Sequence, residues 1–221
     1  MNFPPDATRR IGEFVSFDKG KAPKETFESP GEGRLPYLSP EYLRGDAPPL
    51  YVVPTERDVV VAENDPIILW DGSNAGEIFF AKPGVLASTM VRVLPKNDEV
   101  HRGYLGHALK FHEGYLRALT AGSGIQHVDK TIVKRLPFWK ADVAQQNEVS
   151  ATISLVDSAI VATRESIAKA QHLQKGLMQQ LLTGRLGPGD TPRGKSEFWA
   201  HPKAGLVPRG WEVAPVKYPH P

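Results

Sequence analysis

"ISLVDSAIVATRESIAKAQHLQKGLMQQLLTGRL", Ile153 to Leu186, is the stretch whose periodicity decides the fold. Ile153, Val156, Ile160, Thr163, Ile167, Ala170, Gln174, Leu177 and Leu181 follow one another by alternating steps of three and four. That is a heptad seam, the pattern of a helix that buries a narrow apolar stripe against another helix. Upstream, Asp142 with Gln145 three residues on suits a helix N-terminus, where a side-chain oxygen takes an orphaned backbone N–H. Downstream, Gly184 suits the left-handed residue that ends a helix, with Arg185 near the negative end of the dipole. Between Asp142 and Thr183 there is no proline and no glycine except Gly176. The pattern predicts one helix of about 40 residues, roughly 60 Å long at 1.5 Å per residue. Packed on nothing, such a helix leaves its stripe bare, so a second helix is expected, from another chain or from a continuation of this one. Ile153, Val156, Ile160, Ile167, Leu177 and Leu181 are the candidate pairing residues, and the polar Thr163 and Gln174 would fix register.

Ahead of the helix the texture changes. Residues 1–140 are rich in Gly, Pro and short apolar runs: VVV (59–61), IILW (67–70), EIFF (77–80) and MVRVL (90–94) read as strands between turn signals. Asp71-Gly72 is a hairpin-type pair between two of them. "HRGYLGHALKFHEGYLRAL" (101–119) has helical spacing with one slip, and "TAGSGIQHVDKTIVKRLPFW" (120–139) reads as loop, short turn and a final strand. The expected fold class is α+β: a mixed, mainly antiparallel domain over 1–140, then the long coiled-coil helix over 141–186. Residues 187–221 have the Pro/Gly-rich composition of a linker, although Trp199 and Trp211 suggest docking or the opening of another folded unit.

Composition narrows the function classes without naming one. The chain has 221 residues, 40% hydrophobic and 24% charged, with a net charge of +2. Residues 1–140 hold 18 Lys/Arg against 18 Asp/Glu, so a basic face has to come from folding cations onto one side. There is no cysteine, which removes disulfides, thiolate metal sites and cysteine nucleophiles. No apolar run approaches the length of a membrane span, and MNFPPDATRR lacks the core of a signal peptide, so a cytoplasmic protein is expected.

Motifs for catalysis are missing. "AGSGIQ" (121–126) lacks the paired glycines of a nucleophile elbow, and neither a P-loop nor a His-Glu-x-x-His motif occurs. No Asn-Pro-Pro-Tyr-like tetrapeptide points to amino-methyl transfer. His101, His107, His112 and His127 lack metal-ligand spacing and read as surface or structural residues. No catalytic residue, cofactor or metal is expected.

The sequence from Leu136, "LPFWKADVAQQNEVSATISLVDSAIVATRESIAKAQHLQKGLMQQLLTGRL", resembles the conserved helical region of Type I restriction-modification specificity subunits. "RIGEFVSFDKGKAPKE" (10–25), "GRLPYLSPEYLRG" (33–45), "ILWDGSNAGEI" (68–78) and "GYLRALTAGSGIQHVDKTIVKRLPF" (114–138) are similar to parts of that family's target recognition domain. The likeness covers residues 10–186. Full-length members carry two recognition domains and two such helices, paired antiparallel; this chain shows one of each, and "LVPRGWEV" (206–213) resembles the start of a second domain. The resemblance implies a half-subunit, natural or truncated. It would read one half of a bipartite site on double-stranded DNA and pair through its helix, as a homodimer or with a second half-subunit. It also implies two partners, a methyltransferase subunit and an ATP-dependent restriction subunit. Two alternatives stay open: a coiled-coil adaptor or decoy for the methyltransferase subunit that does not bind DNA, and the recognition fragment of a methyltransferase-nuclease fusion.

Readout of DNA needs cations for phosphates and amide, hydroxyl or guanidinium groups for base edges, and His127 can donate to guanine or a phosphate. Ser123, Gln126, His127 and Lys130 lie close together in sequence beside Gly122 and Gly124. Lys19, Lys21 and Lys24 form a cationic strip, and Ser73 and Asn74 sit at a predicted hairpin tip. These nine are the candidate DNA-contacting residues.

Overall fold

The computed structural model describes residues 8–120, 127–187, 189 and 191–214. The chain divides into two compact units, Met1–Leu155 and Val156–Pro221.

The first unit is organised around β6 (Pro66–Leu69), whose four residues are all buried. Successive strand residues point to opposite faces. Ile68, with Trp70 just beyond the strand, enters one core beside Val91, Val93, Leu105, Leu109 and Phe138. Ile67 and Leu69 enter a second core with Leu38, Val61, Leu86 and Met90. Covering both faces explains why the strand reads as an unbroken apolar run rather than an alternation. Its sheet has the order β2 (Val15–Lys19), β9 (Met90–Pro95), β6, β7 (Ile78–Phe80). All three of its pairings are antiparallel.

A second sheet runs β4 (Leu50–Val52), β3 (Leu35–Leu38), β8 (Gly84–Leu86), β5 (Val60–Val61). Here β3 and β8 are parallel, while β3–β4 and β5–β8 are antiparallel. The sheets are mainly antiparallel with one parallel pair, as the texture of residues 1–140 predicts. The five-residue helix α2 (Pro40–Arg44) starts on Ser39, whose hydroxyl accepts from the Tyr42 N–H at 3.2 Å, and ends on Gly45 in the left-handed region.

The slip in the helical spacing after residue 101 is a break between two helices, α3 (Arg102–Phe111) and α4 (Glu113–Thr120), which bury Leu105, Leu109 and Leu116. The expected short turn is a helix, α5 (Lys130–Arg135), capped by the Asp129 carboxylate accepting from the Thr131 N–H at 2.7 Å. It packs on α1 (Ile11–Phe14). The domain's two ends meet where β1 (Thr8–Arg10) pairs antiparallel with β10 (Pro137–Trp139), Arg10 opposite Pro137.

α6 (Val143–Leu182) is continuous over 40 residues, as the heptad pattern predicts. Its N-terminus is capped as expected: the Asp142 carboxylate accepts from the Gln145 N–H at 2.9 Å. Its opening turns pack on the first unit through Gln146, Val149 and Ser150, and a Cβ on Gly103 would lie 2.4 Å from the Ser150 hydroxyl. Gln146 is fully buried. Its oxygen accepts from the His101 N–H at 2.8 Å, and its amide nitrogen donates to the Glu99 and Ala141 carbonyls at 3.0 and 2.8 Å. From Ala151 to Leu182 every residue is exposed.

In the second unit the helix ends on Gly184, at φ 65°. The Gly184 N–H donates to the Leu181 carbonyl and the Arg185 N–H to the Gln180 carbonyl, at 3.0 and 2.8 Å. This paired closure satisfies two carbonyls the helix would otherwise leave open. The Pro/Gly-rich tail is more structured than its composition suggests. A 3₁₀ turn (Lys195–Glu197) leads into an antiparallel hairpin of β11 (Phe198–His201) and β12 (Gly205–Pro208). Arg193 ties this segment to the helix end by donating to the Gly184 and Leu186 carbonyls at 2.7 and 3.1 Å.

Candidate nucleic-acid interface

Three segments far apart in sequence meet at one edge of the first unit. The first is the end of β2. Gly20 follows it closely, since a Cβ there would lie 2.2 Å from the Ala87 carbonyl oxygen. The Gly20 N–H still donates to the Met90 carbonyl at 3.0 Å, so the chain keeps to β9 one residue beyond Lys19. The second is the connection between β6 and β7, whose Ala75 carbonyl accepts from the buried Thr120 hydroxyl at 2.8 Å. Gly76, at φ 94°, permits the same connection to press on the backbone of Leu116 and Arg117. The third is the segment entering α5, where the Val128 N–H donates to the Trp70 carbonyl at 2.9 Å and His127 forms a β-bridge with Asp71.

Asp71 joins the three. One carboxylate oxygen accepts from Lys19 Nζ at 2.9 Å, and the other is 2.5 Å from His127 Nδ1. Burial pushes the Asp71 pKa up, but the hydrogen bonds and charges of Lys19 and His127 outweigh it, and the net shift is downward. The ring of His127 stands edge-on to Trp70 at 6.0 Å, and Trp70 edge-on to Phe17 at 6.1 Å. The Lys130 ammonium lies over the Phe17 ring at 5.1 Å. Asn74 accepts from Arg117 at 3.2 Å, and Ser73 is exposed beside it. Asp71, Ser73 and Asn74 also line a 330 Å³ groove with Tyr37, Arg44 and Thr89.

The structure therefore brings Lys19, Ser73, Asn74, His127 and Lys130 into one neighbourhood. Lys21 and Lys24 are exposed and line a different groove, of 260 Å³, with Phe27, Arg57 and Asp58. Ser123 and Gln126 lie outside the described residues. Asp71, the residue at the centre, is not among the sequence candidates, because a turn aspartate carries no sign of a partner 56 positions away. Arg57 and Arg117 are likewise missed, being isolated cations in sequence.

The candidate pairing residues of α6 are all solvent-facing: Ile153, Val156, Ile160, Ile167, Leu177 and Leu181 are between 37% and 53% exposed. The apolar surface is wider than the seam, since Leu155, Val161, Leu173, Met178 and Leu182 are exposed as well.

Three of the other histidines serve the scaffold. His101 Nδ1 accepts from the Tyr104 N–H at 3.4 Å, His107 Nε2 is 3.2 Å from the Ser154 hydroxyl, and His112 Nε2 donates to the Pro137 carbonyl at 2.9 Å. Among the described residues no group of three or more acidic or histidine side chains could hold a metal, and no helix is long and apolar enough to cross a membrane.

Comparison with known proteins bears on this arrangement. Residues 7–170 match the family model described as the Type I restriction modification DNA specificity domain. The chain is 37% identical over 210 residues to the Type I restriction enzyme MjaVIII specificity subunit of Methanocaldococcus jannaschii, covering 94% of this chain and 47% of that protein. The chain thus spans about half the length of this relative. Among solved structures, the S subunit of a Type I restriction-modification system from M. genitalium aligns with a TM-score of 0.56 at 18% identity, over 82% of this chain and 47% of that one. The HsdS subunit from Thermoanaerobacter tengcongensis aligns with a TM-score of 0.54 at 16% identity, over 81% and 45%. A third, from work on assembly and conformational transition of the type I R-M system, aligns with a TM-score of 0.59 at 19% identity, over 82% and 46%. These likenesses bear on the fold; the family-model match over 7–170 bears on membership. The chain belongs to the Type I restriction-modification DNA specificity family.

Proposed function

We propose that this chain reads one half of a bipartite DNA site, and that α6 pairs with a second such helix to present two recognition domains together. The carrying observation is the meeting of Lys19, Ser73, Asn74, His127 and Lys130, drawn from three segments, around Asp71 in a chain of this family. The edge offers an imidazole, an amide, a hydroxyl and ammonium groups, the groups that address base edges and phosphates. Lys21, Lys24 and Arg57 add cations suited to phosphate contact. Pairing follows from the exposed seam, because apolar residues repeated every 3.5 positions on a bare helix are stable only when covered. The covering helix comes from a second copy or from a second half-subunit.

In this reading the chain supplies recognition in the cytoplasm. A methyltransferase subunit supplies methylation and an ATP-dependent restriction subunit supplies cleavage. Two copies related by a two-fold axis would read an interrupted palindrome. The helix sets the gap between half-sites, so its length and the spacer are coupled. Deleting one heptad from α6 removes about 10.5 Å of helix, roughly three base pairs of spacer. Selection from random duplexes with the full chain and the heptad-deleted variant tests this. The same half-sites with a shorter spacer support it, and an unchanged spacer refutes it. The balanced charge of residues 1–140 favours the rival reading, a coiled-coil adaptor without DNA affinity. Duplex binding that is immeasurably weak at every salt concentration would establish that rival.

A further inference from the structure

We propose that Asp71 is a positioning residue that turns His127 into a base-reading acceptor, aimed at the exocyclic amino group of adenine or cytosine in the major groove. This rests on the DNA-reading function proposed above and deepens it. The warrant is geometric. A carboxylate can only accept, so the 2.5 Å contact between Asp71 and His127 Nδ1 requires the ring proton on Nδ1. The Lys19 ammonium on the other carboxylate oxygen keeps Asp71 ionised and holds its plane. Trp70, buried, packs edge-on against the imidazole with ring centres 6.0 Å apart. His127 Nε2 makes no hydrogen bond among the described residues, and the side chain is 47% exposed. With the proton placed on Nδ1, Nε2 of the neutral ring carries a lone pair. Adenine N6 and cytosine N4 are the amino donors of the major groove, whereas guanine offers two acceptors there.

The same arrangement makes the reading depend on pH. Protonation converts Nε2 from acceptor to donor, which suits guanine O6 and N7 and opposes an amino group. The charged groups facing His127 are Asp71 from the β6–β7 connection, Lys19 from β2 through that carboxylate, and Lys130 from α5 over the Phe17 ring. Beyond Asp71, Arg44 and Glu77 are paired with each other, and residues 121–126 contain no ionisable side chain. Protonation of His127 therefore adds a full positive charge to a neighbourhood of two lysines and one aspartate. A histidine that only filled space would leave base preference unmoved by pH.

The test is selection from random-sequence duplexes with the full chain at about pH 8 and about pH 5.5. His127→Ala and Asp71→Ala are run beside it, and thermal unfolding confirms that each variant folds. At the higher pH the wild type is expected to enrich adenine or cytosine at one position of the half-site. At the lower pH that position should shift toward guanine. Both variants should lose about five- to tenfold of the preference there, the worth of one hydrogen bond, and keep the other positions. The assignment is overturned if the wild-type preference is the same at both pH values, or if every position survives in both variants. The wild-type pH comparison stands even if a variant fails to fold. If the wild type enriches no base anywhere, it is the DNA-reading function itself that fails.

Discussion

Replacing Gln146 by leucine would test whether the recognition unit and the start of its helix are one structure. The side chain is fully buried and makes three hydrogen bonds, all to backbone groups: the His101 N–H and the Glu99 and Ala141 carbonyls. Leucine has a similar volume, so packing changes little and the loss is polar. Each orphaned buried group costs on the order of 1–3 kcal/mol. The two carbonyls keep a second lone pair and can shift toward other donors, so the lower end applies to them. The expected destabilisation is about 3 kcal/mol, which at roughly 2–4 °C per kcal/mol for a chain of this size lowers the Tm by about 6–12 °C. Urea unfolding followed by circular dichroism and by tryptophan fluorescence measures the midpoint, and coincident transitions license a free energy. Gln146→Glu keeps the acceptor but loses both donors and buries a charge, so it should fall at least as far. A loss below about 1 kcal/mol for Gln146→Leu would mean that these bonds do not hold the helix to the domain, and the reasoning would fail.

Three further outcomes follow from the same structure. Ile160→Glu combined with Ile167→Glu places charges in the exposed seam; sedimentation equilibrium should show pairing lost while unfolding of the first unit is unchanged, and intact pairing would move the interface elsewhere. Lys21→Ala with Lys24→Ala should weaken duplex binding alike for all sequences and flatten the plot of log K against log salt by about 1.8, two phosphate contacts at about 0.9 each; an unchanged slope removes both lysines from the interface. The Asp71 carboxyl is held below its ordinary value, so its charged contacts stabilise the fold above about pH 4 and are lost as pH falls through the depressed folded value. Wild type should therefore exceed Asp71→Asn in stability at neutral pH and converge with it in acid. A gap that stays constant down to acid unfolding would contradict this.

The long helix is legible in the sequence because its signals are local and agree. The seam from Ile153 to Leu181, the cap at Asp142 and the stop at Gly184 each rest on neighbours within a few residues, and all three are present in the structure. Strands β5, β6, β7 and β9 are legible for the same reason. Their partners are not. Nothing local says that β3 runs parallel to β8, or that β1 closes on β10 across the whole domain. Gln146 reads as one glutamine among several at a helix start, and only the fold reveals three backbone groups around it. The candidate interface divides in the same way. His127 and Lys19 are visible as residue types that contact DNA, whereas Asp71, which makes them neighbours, looks like an ordinary turn residue until the sheet places β2 and the segment before α5 beside it. The tail shows the opposite error of composition. Its prolines and glycines suggest a linker, but Gly205, at φ 74°, opens β12 of a hairpin, and Arg193 anchors the segment to the helix end.

The most direct test of the central claim is the affinity of the purified chain for a selected duplex and a scrambled duplex of equal length, by fluorescence anisotropy between about 50 and 200 mM salt. Binding to the selected duplex should be at least about a thousandfold tighter, with both affinities falling as salt rises. Equal affinity for the two duplexes at every salt concentration would contradict it.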